Sequence, residues 1–119
     1  MGDAPFTSLR SPTGFRRVLR DGRRVRVDDL VVVAAPAPCG CGVPRLGLVV
    51  GRDIGGAVQR NRAKRQLREA FRAARGSVQP GVDYVILARG GMRERTTREI
   101  EAAVQGAVAG LRMRMLGNG

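Results

Sequence analysis

The stretch Arg60-Asn61-Arg62-Ala63-Lys64-Arg65-Gln66-Leu67-Arg68-Glu69-Ala70-Phe71-Arg72 constrains the fold most, because only one of its two sides can be buried. Set on a helix at about 100° per residue, Ala63, Leu67, Ala70, Phe71 and Ala74 fall within roughly 100° of arc. Asn61, Arg62, Lys64, Arg65, Arg68, Arg72 and Arg75 cover the opposite arc, and Arg60 falls beside the apolar stripe at the helix start. Such a helix must pin one side to a core and leave the other to water or to a partner. Glu69 is the single acid between Ala57 and Arg75. Solubility alone favours mixed signs, so the unmixed charge points to a face that meets a polyanion. A solvated basic face is the alternative.

The rest of the composition agrees. A net charge of +12 places the chain, read as one domain over residues 1–119, among proteins that bind nucleic acid or an anionic surface. Lys64 is the single lysine among 22 cations. Arginine suits phosphate through its planar fork, although GC-rich coding accounts for the ratio without changing the charge. No run approaches the roughly 18–20 apolar residues of a membrane span. The N-terminus lacks the basic-then-apolar pattern of a signal peptide. A soluble, cytoplasmic protein with no membrane partner is expected. There is no histidine, so Ser-His and Cys-His chemistry is excluded. The ten acids are scattered, with Asp28-Asp29 the only adjacent pair. No catalytic residue and no protein-held metal are expected. Cys39 and Cys41 fall short of the four Cys/His ligands a structural zinc needs and read as reduced thiols in a loop.

Along the chain, residues 1–10 read as a loose start. Ser11-Pro12 supplies an N-cap and first-position proline for a helix over about Pro12–Arg20. It carries Phe15, Val18 and Leu19 on one face and stops at Gly22. Leu30–Ala34 reads as a strand covered on both faces, with Val25 and Val27 extending it or forming a small strand before it. Pro36–Pro44 is a loop, and Arg45–Val50 is a second strand expected to pair with Leu30–Ala34 as a hairpin. Gly51–Gly56 turns into the basic helix, which Gly76 ends. Asp83–Ala88 is a third strand. Thr96-x-x-Glu99 is a capping box before a helix whose core stripe is Ile100, Val104, Val108, Leu111 and Met115. The order α-β-β-α-β-α makes an α+β sandwich, with helices against a small sheet.

In this frame the chain resembles the protein subunit family of bacterial ribonuclease P. Arg45-Leu-Gly-Leu-Val-Val-Gly-Arg52, Ile54-Gly55-x-Ala57-Val58 and Arg60-Asn61-Arg62-x-Lys64-Arg65-x-x-Arg68-Glu69-x-Phe71 follow that family's central signature. Leu9, Phe15, Val18, Gly22 and the strand from Asp83 to Arg89 match more weakly. The resemblance implies a ribosomal protein S5 domain 2-like fold with a mixed sheet and a left-handed βαβ crossover, where the general rule gives the opposite hand. It implies a ribonucleoprotein endonuclease that removes the 5′ leader of precursor tRNA, its RNA subunit doing the chemistry with bound Mg²⁺. The protein binds that catalytic RNA through the Arg-Asn-Arg helix, and holds the single-stranded leader in a cleft between the first helix and the sheet.

Carried onto this sequence, contacts to the RNA subunit fall on Arg60, Asn61, Arg62, Lys64, Arg65, Arg68 and Arg72. Arg60 and Arg62 are expected at the helix N-terminus, where free amides and the dipole favour phosphate. Asn61 has a second reading, in which its amide pins the Gly55-Gly56 turn. For the leader, Phe15 is the stacking candidate, with a core role as the alternative. Arg16, Arg17, Arg45, Arg52 and Arg89 would supply charge around it. Four positions depart from the family pattern. Asp53 stands where a second basic residue is common, removing a phosphate contact or helping to hold a hydrated Mg²⁺. Leu19 replaces an aromatic on the first helix, and Leu30 and Val33 replace aromatics on the facing strand. The cleft is therefore expected to grip by apolar contact and charge more than by stacking.

Overall fold

Strands that are apolar on both sides need cover on both sides, and helices provide it on either face of one sheet. The computed structural model describes residues 6–38 and 42–117, with side chains to residue 115; Cys39 and Cys41 lie outside them. In chain order the elements are β1 (Thr7–Ser8), α1 (Pro12–Asp21), β2 (Arg23–Val27), β3 (Leu30–Pro36) and β4 (Arg45–Val50). They continue with α2 (Ala57–Ala73), β5 (Val82–Ala88) and α3 (Thr97–Gly117). Single 3-10 turns lie at Arg52–Ile54, Arg75–Ser77 and Gly90–Glu94. This is the expected α+β arrangement of three helices on a mixed sheet, with five strands in the order β1-β4-β5-β3-β2.

The expected hairpin between Leu30–Ala34 and Arg45–Val50 does not form. β5 lies between those strands, antiparallel to β3 and parallel to β4. Nearly every residue of β5 is buried, which is what a central strand with cover on both faces requires. A helix-length connection permits the parallel β4–α2–β5 unit, and β3 hairpins instead with β2 through Asp28-Asp29. Asp28 takes φ 54° there, in the left-handed region that Asp tolerates better than most residues.

The N-terminal segment is also better ordered than expected from residue 6 onward. Thr7 and Ser8 pair in parallel with Arg45 and Leu46, and Leu9 is buried. Phe6 meets the Phe71 ring edge-on at 4.9 Å, and Phe71 meets Tyr84 at 5.2 Å, a favoured aromatic geometry. Short apolar content hid this edge strand, because two residues carry no period.

Helix ends follow their caps. The Ser11 hydroxyl accepts the Gly14 N–H at 3.2 Å. Gly22 ends α1 for lack of space rather than for backbone freedom: a Cβ there would lie 2.5 Å from the Val18 carbonyl oxygen and 2.7 Å from Val33 Cγ1. The capping box is reciprocal, with Thr96 N–H donating to Glu99 Oε1 at 2.8 Å and Glu99 N–H to Thr96 Oγ1 at 3.1 Å. α2 ends at Ala73, before the expected stop, and Gly76 sits inside the following 3-10 turn.

Two cores result. On one face α2 and α3 bury Leu67, Phe71, Ile100, Val104, Val108 and Leu111 against Val32, Leu46, Tyr84 and Ile86. Each such large side chain contributes about 1.5–3 kcal/mol. On the other face α1 sets Val18 on Val33, Ala35 and Val85. Among the described residues no helix is long and apolar enough to cross a membrane.

Candidate nucleic-acid interface

α1 covers only part of its face of the sheet, and strand register divides that face into three rows. They are Ala35–Asp83–Arg45, Val33–Val85–Gly47 and Val31–Leu87–Val49.

The first row holds the one buried charge among the described residues, Asp83, at 0% exposure. Its carboxylate accepts from Arg45 Nε at 2.8 Å and Arg45 Nη2 at 2.7 Å, and also from Arg17 Nη2. Arg17 Nη1 donates to the Pro36 carbonyl at 2.8 Å. A buried carboxylate is tolerated only with partners of this kind, so the network ties α1 to β3, β4 and β5. Arg17 and Arg45, expected at the leader, are thus also structural groups. Arg24 Nη2 adds a bond of 2.7 Å to the Leu19 carbonyl at the end of α1.

In the second row the Phe15 ring lies directly over Gly47. A Cβ at Gly47 would stand 2.4 Å from Phe15 Cζ, so the strand glycine makes room for the ring. The other three aromatics form the Phe6–Phe71–Tyr84 stack, and Phe15 lies beside an open groove. The third row is left partly open: Val49 is 40% exposed, and Val31 and Leu87 are half-buried. Val33 lies under α1, whereas Leu30 packs into the core on the opposite face of the sheet. Of the two strand positions expected to face the first helix, Leu30 therefore does not.

α2 forms the second wall. Arg60, Asn61 and Lys64 face Phe15, Leu48 and Val49 across an open groove of about 530 Å³. Lys64 and Arg68 continue it past Arg10 and Ser8. Arg60, Lys64 and Arg68 stand at i, i+4 and i+8, one row along the helix. At the far ends of β4 and β5, Arg52 and Arg89 border Val49 and Leu87. Asp53 is engaged there: its Oδ2 accepts the Gly90 N–H at 2.9 Å and lies 3.8 Å from Arg89 Nε.

Other expected residues are placed differently. Arg16 and Arg65 are exposed. Arg62 lies on the opposite flank of α2 from Phe15. Arg72 donates to Glu69 at 3.1 Å and covers the Phe6 ring at 5.5 Å, a cation–π contact. The free amides expected at Arg60 and Arg62 belong to earlier residues, because α2 starts at Ala57 and Arg60 N–H already bonds the Gly56 carbonyl at 2.9 Å. Asn61 is exposed, and the side chain packed on the Gly55-Gly56 turn is that of Gln59. Gly55 itself takes φ 139°, accessible to glycine.

Three features of the site were not singled out from sequence: the Asp83 anchor, the Phe15 seat at Gly47, and the cations Arg10, Arg93 and Arg95. The available signals were an acid opening an apolar strand and a glycine inside one.

Together the fold and this face define a small basic α+β protein whose helix and sheet enclose a cationic groove holding one aromatic ring. Residues 5–112 match the family model described as Ribonuclease P. The ribonuclease P protein component of Herpetosiphon aurantiacus is 43% identical over 96 residues, 81% of this chain and 76% of that one. That of Roseiflexus castenholzii is 39% identical over 98 residues, 82% of this chain and 79% of the relative. The solved RNase P protein of Thermotoga maritima superposes with a TM-score of 0.75 at 26% identity, covering 86% of this chain and 94% of that one. The Staphylococcus aureus RNase P protein gives 0.75 at 25% identity, covering 89% and 94%. The chain belongs to the ribonuclease P protein family and is a protein component of the bacterial type.

Proposed function

We propose that this chain binds the catalytic RNA subunit of ribonuclease P through α2 and holds the 5′ leader of precursor tRNA along the face beside α1. The observation that carries this reading is the shared groove, in which Phe15 faces Arg60, Asn61 and Lys64. An unstacked strand needs a ring face and flanking cations; the groove has both, with the apolar row Val31–Leu87–Val49 beyond it. Folded RNA presents phosphates and shape rather than readable major-groove edges, which suits the exposed Arg62, Arg65 and Arg68. The RNA performs the endonucleolytic cleavage with Mg²⁺ in the cytoplasm, and the protein alone is inactive. Among the described residues no three His, Cys, Asp or Glu groups gather as a ligand set.

Phe15→Ala tests the leader assignment. Binding of precursor tRNA by the assembled enzyme should weaken when the leader spans several nucleotides, with little change for mature tRNA. Equal loss for both substrates would place Phe15 outside leader binding.

A further inference from the structure

The flank of α2 turned away from Phe15 carries a separate pocket of about 280 Å³, between α2 and the Gly90–Glu94 turn. Its floor is apolar: Ile54 and Met92, each 2% exposed, with Ala63 beside them. Gln59, Arg62 and Gln66 line it from α2, and Arg93 and Arg95 from beyond β5. No carboxylate lines it.

The wall opposite α2 is held in place. Asp53 Oδ2 accepts the Gly90 N–H at 2.9 Å, and Arg95 Nη2 reaches Asp29 Oδ2 at 3.4 Å and Asp28 Oδ1 at 3.8 Å. Those two aspartates offset the charge of Arg95, so the excess positive charge of the pocket rests on Arg62 and Arg93.

Each part of this lining matches a part of a nucleotide. The side-chain amides of Gln59 and Gln66 both donate and accept, as a base edge does. Guanidinium groups suit phosphate, and an apolar floor suits the plane of a base. The volume lies just under the ~300 Å³ at which pockets for drug-sized ligands begin. A recess of that size cannot straddle a duplex, but it can admit a nucleotide splayed out of one.

We propose that this pocket receives one unpaired nucleotide of the catalytic RNA subunit, its base against Met92 and its phosphate between Arg62 and Arg93. The partner follows from the proposed function, on which this inference rests, because the leader groove occupies the other flank of α2.

Two measurements on the full chain test it. Adenosine 5′-monophosphate added to isotope-labelled protein should shift the Gln59 and Gln66 side-chain amide signals saturably. Inorganic phosphate should shift them less, and Arg93→Ala should weaken the nucleotide response severalfold. Equal responses to phosphate and nucleotide, or shifts confined to the Phe15 groove, would overturn the pocket. Binding to the catalytic RNA is then followed against salt, where Arg93→Ala should lower the log–log slope by about 1. An Arg93→Ala affinity and slope equal to wild type would overturn it as well. Failure of the wild-type protein to bind that RNA would instead remove the functional reading, and the mononucleotide titration would still judge the pocket.

Discussion

At the scale of single residues, Asp83 holds together the face proposed for the leader although it touches no proposed ligand. Its buried carboxylate draws Arg17 of α1 and Arg45 of β4 to one point on β5. Asp83→Asn leaves two guanidiniums facing a neutral amide and should cost about 2–4 kcal/mol in denaturant unfolding, below the upper range for buried pairs because both arginines are partly exposed. A loss under about 0.5 kcal/mol, the level of ordinary surface changes, would show that the network does not anchor α1. Tyr84 gives a second residue-scale test, since it is the only tyrosine and there is no tryptophan. Burial raises its phenol above the ordinary value of about 10; the Gln79 N–H, which donates to its oxygen at 3.0 Å, opposes that shift. The folded chain therefore keeps a proton that the unfolded chain releases. The resulting stability is complete below about pH 10 and falls as pH rises through the folded value. Phenolate absorbance should appear at higher pH in the folded protein than in urea, and coincident midpoints would contradict the burial. That Phe15 shares one face of α1 with Val18 and Leu19 was legible in the sequence from helical spacing. The role of Asp83 was not, because spacing along the chain does not say which of many arginines a carboxylate meets.

At the scale of elements, α2 is a two-flanked helix. Its core stripe was readable from period alone, and Ala63, Leu67, Ala70 and Phe71 are all buried. The division of its cations was not readable, because it depends on what stands on either side: Phe15 and β4 against one flank, the Gly90–Glu94 turn against the other. Replacing Arg62 and Arg65 with Ala should weaken binding to the catalytic RNA and lower the salt slope by about 2. An unchanged slope would mean that these exposed cations do not meet phosphate. The seating of Phe15 is itself an element-scale property, since Gly47 on β4 leaves the space that the ring fills. Gly47→Ala should move the ring and reproduce the leader-dependent defect of Phe15→Ala while α2 still binds RNA. Normal leader binding in Gly47→Ala would show that the position of the ring over β4 is immaterial. Strand pairing was the least legible feature at this scale. Apolar runs identified β3, β4 and β5, but both-face burial makes such strands interchangeable in pattern. Only the three-dimensional order shows β5 between the other two.

At the scale of the whole molecule, the sheet separates two tasks. α2 and α3 close one face into the larger core, which frees α1 to cover the other face incompletely. That incomplete cover is what leaves Val31, Leu87 and Val49 available beside Phe15. The basic outer side of α2 wraps from this groove round to the pocket at Met92, which places the surfaces proposed for the leader and for the catalytic RNA side by side on one helix. Charge and the lack of histidine made the class of partner legible from composition, whereas the shared groove required the packing of α1, β4 and α2 together. In the proposed function this protein serves catalysis by an RNA. Reconstitution tests it most directly: the protein is mixed with its cognate catalytic RNA at low Mg²⁺, and 5′ cleavage of precursor tRNA is followed. The protein should accelerate cleavage by the RNA at the mature 5′ end and do nothing alone. Cleavage by the protein without RNA, or no acceleration when both are present, would contradict that role.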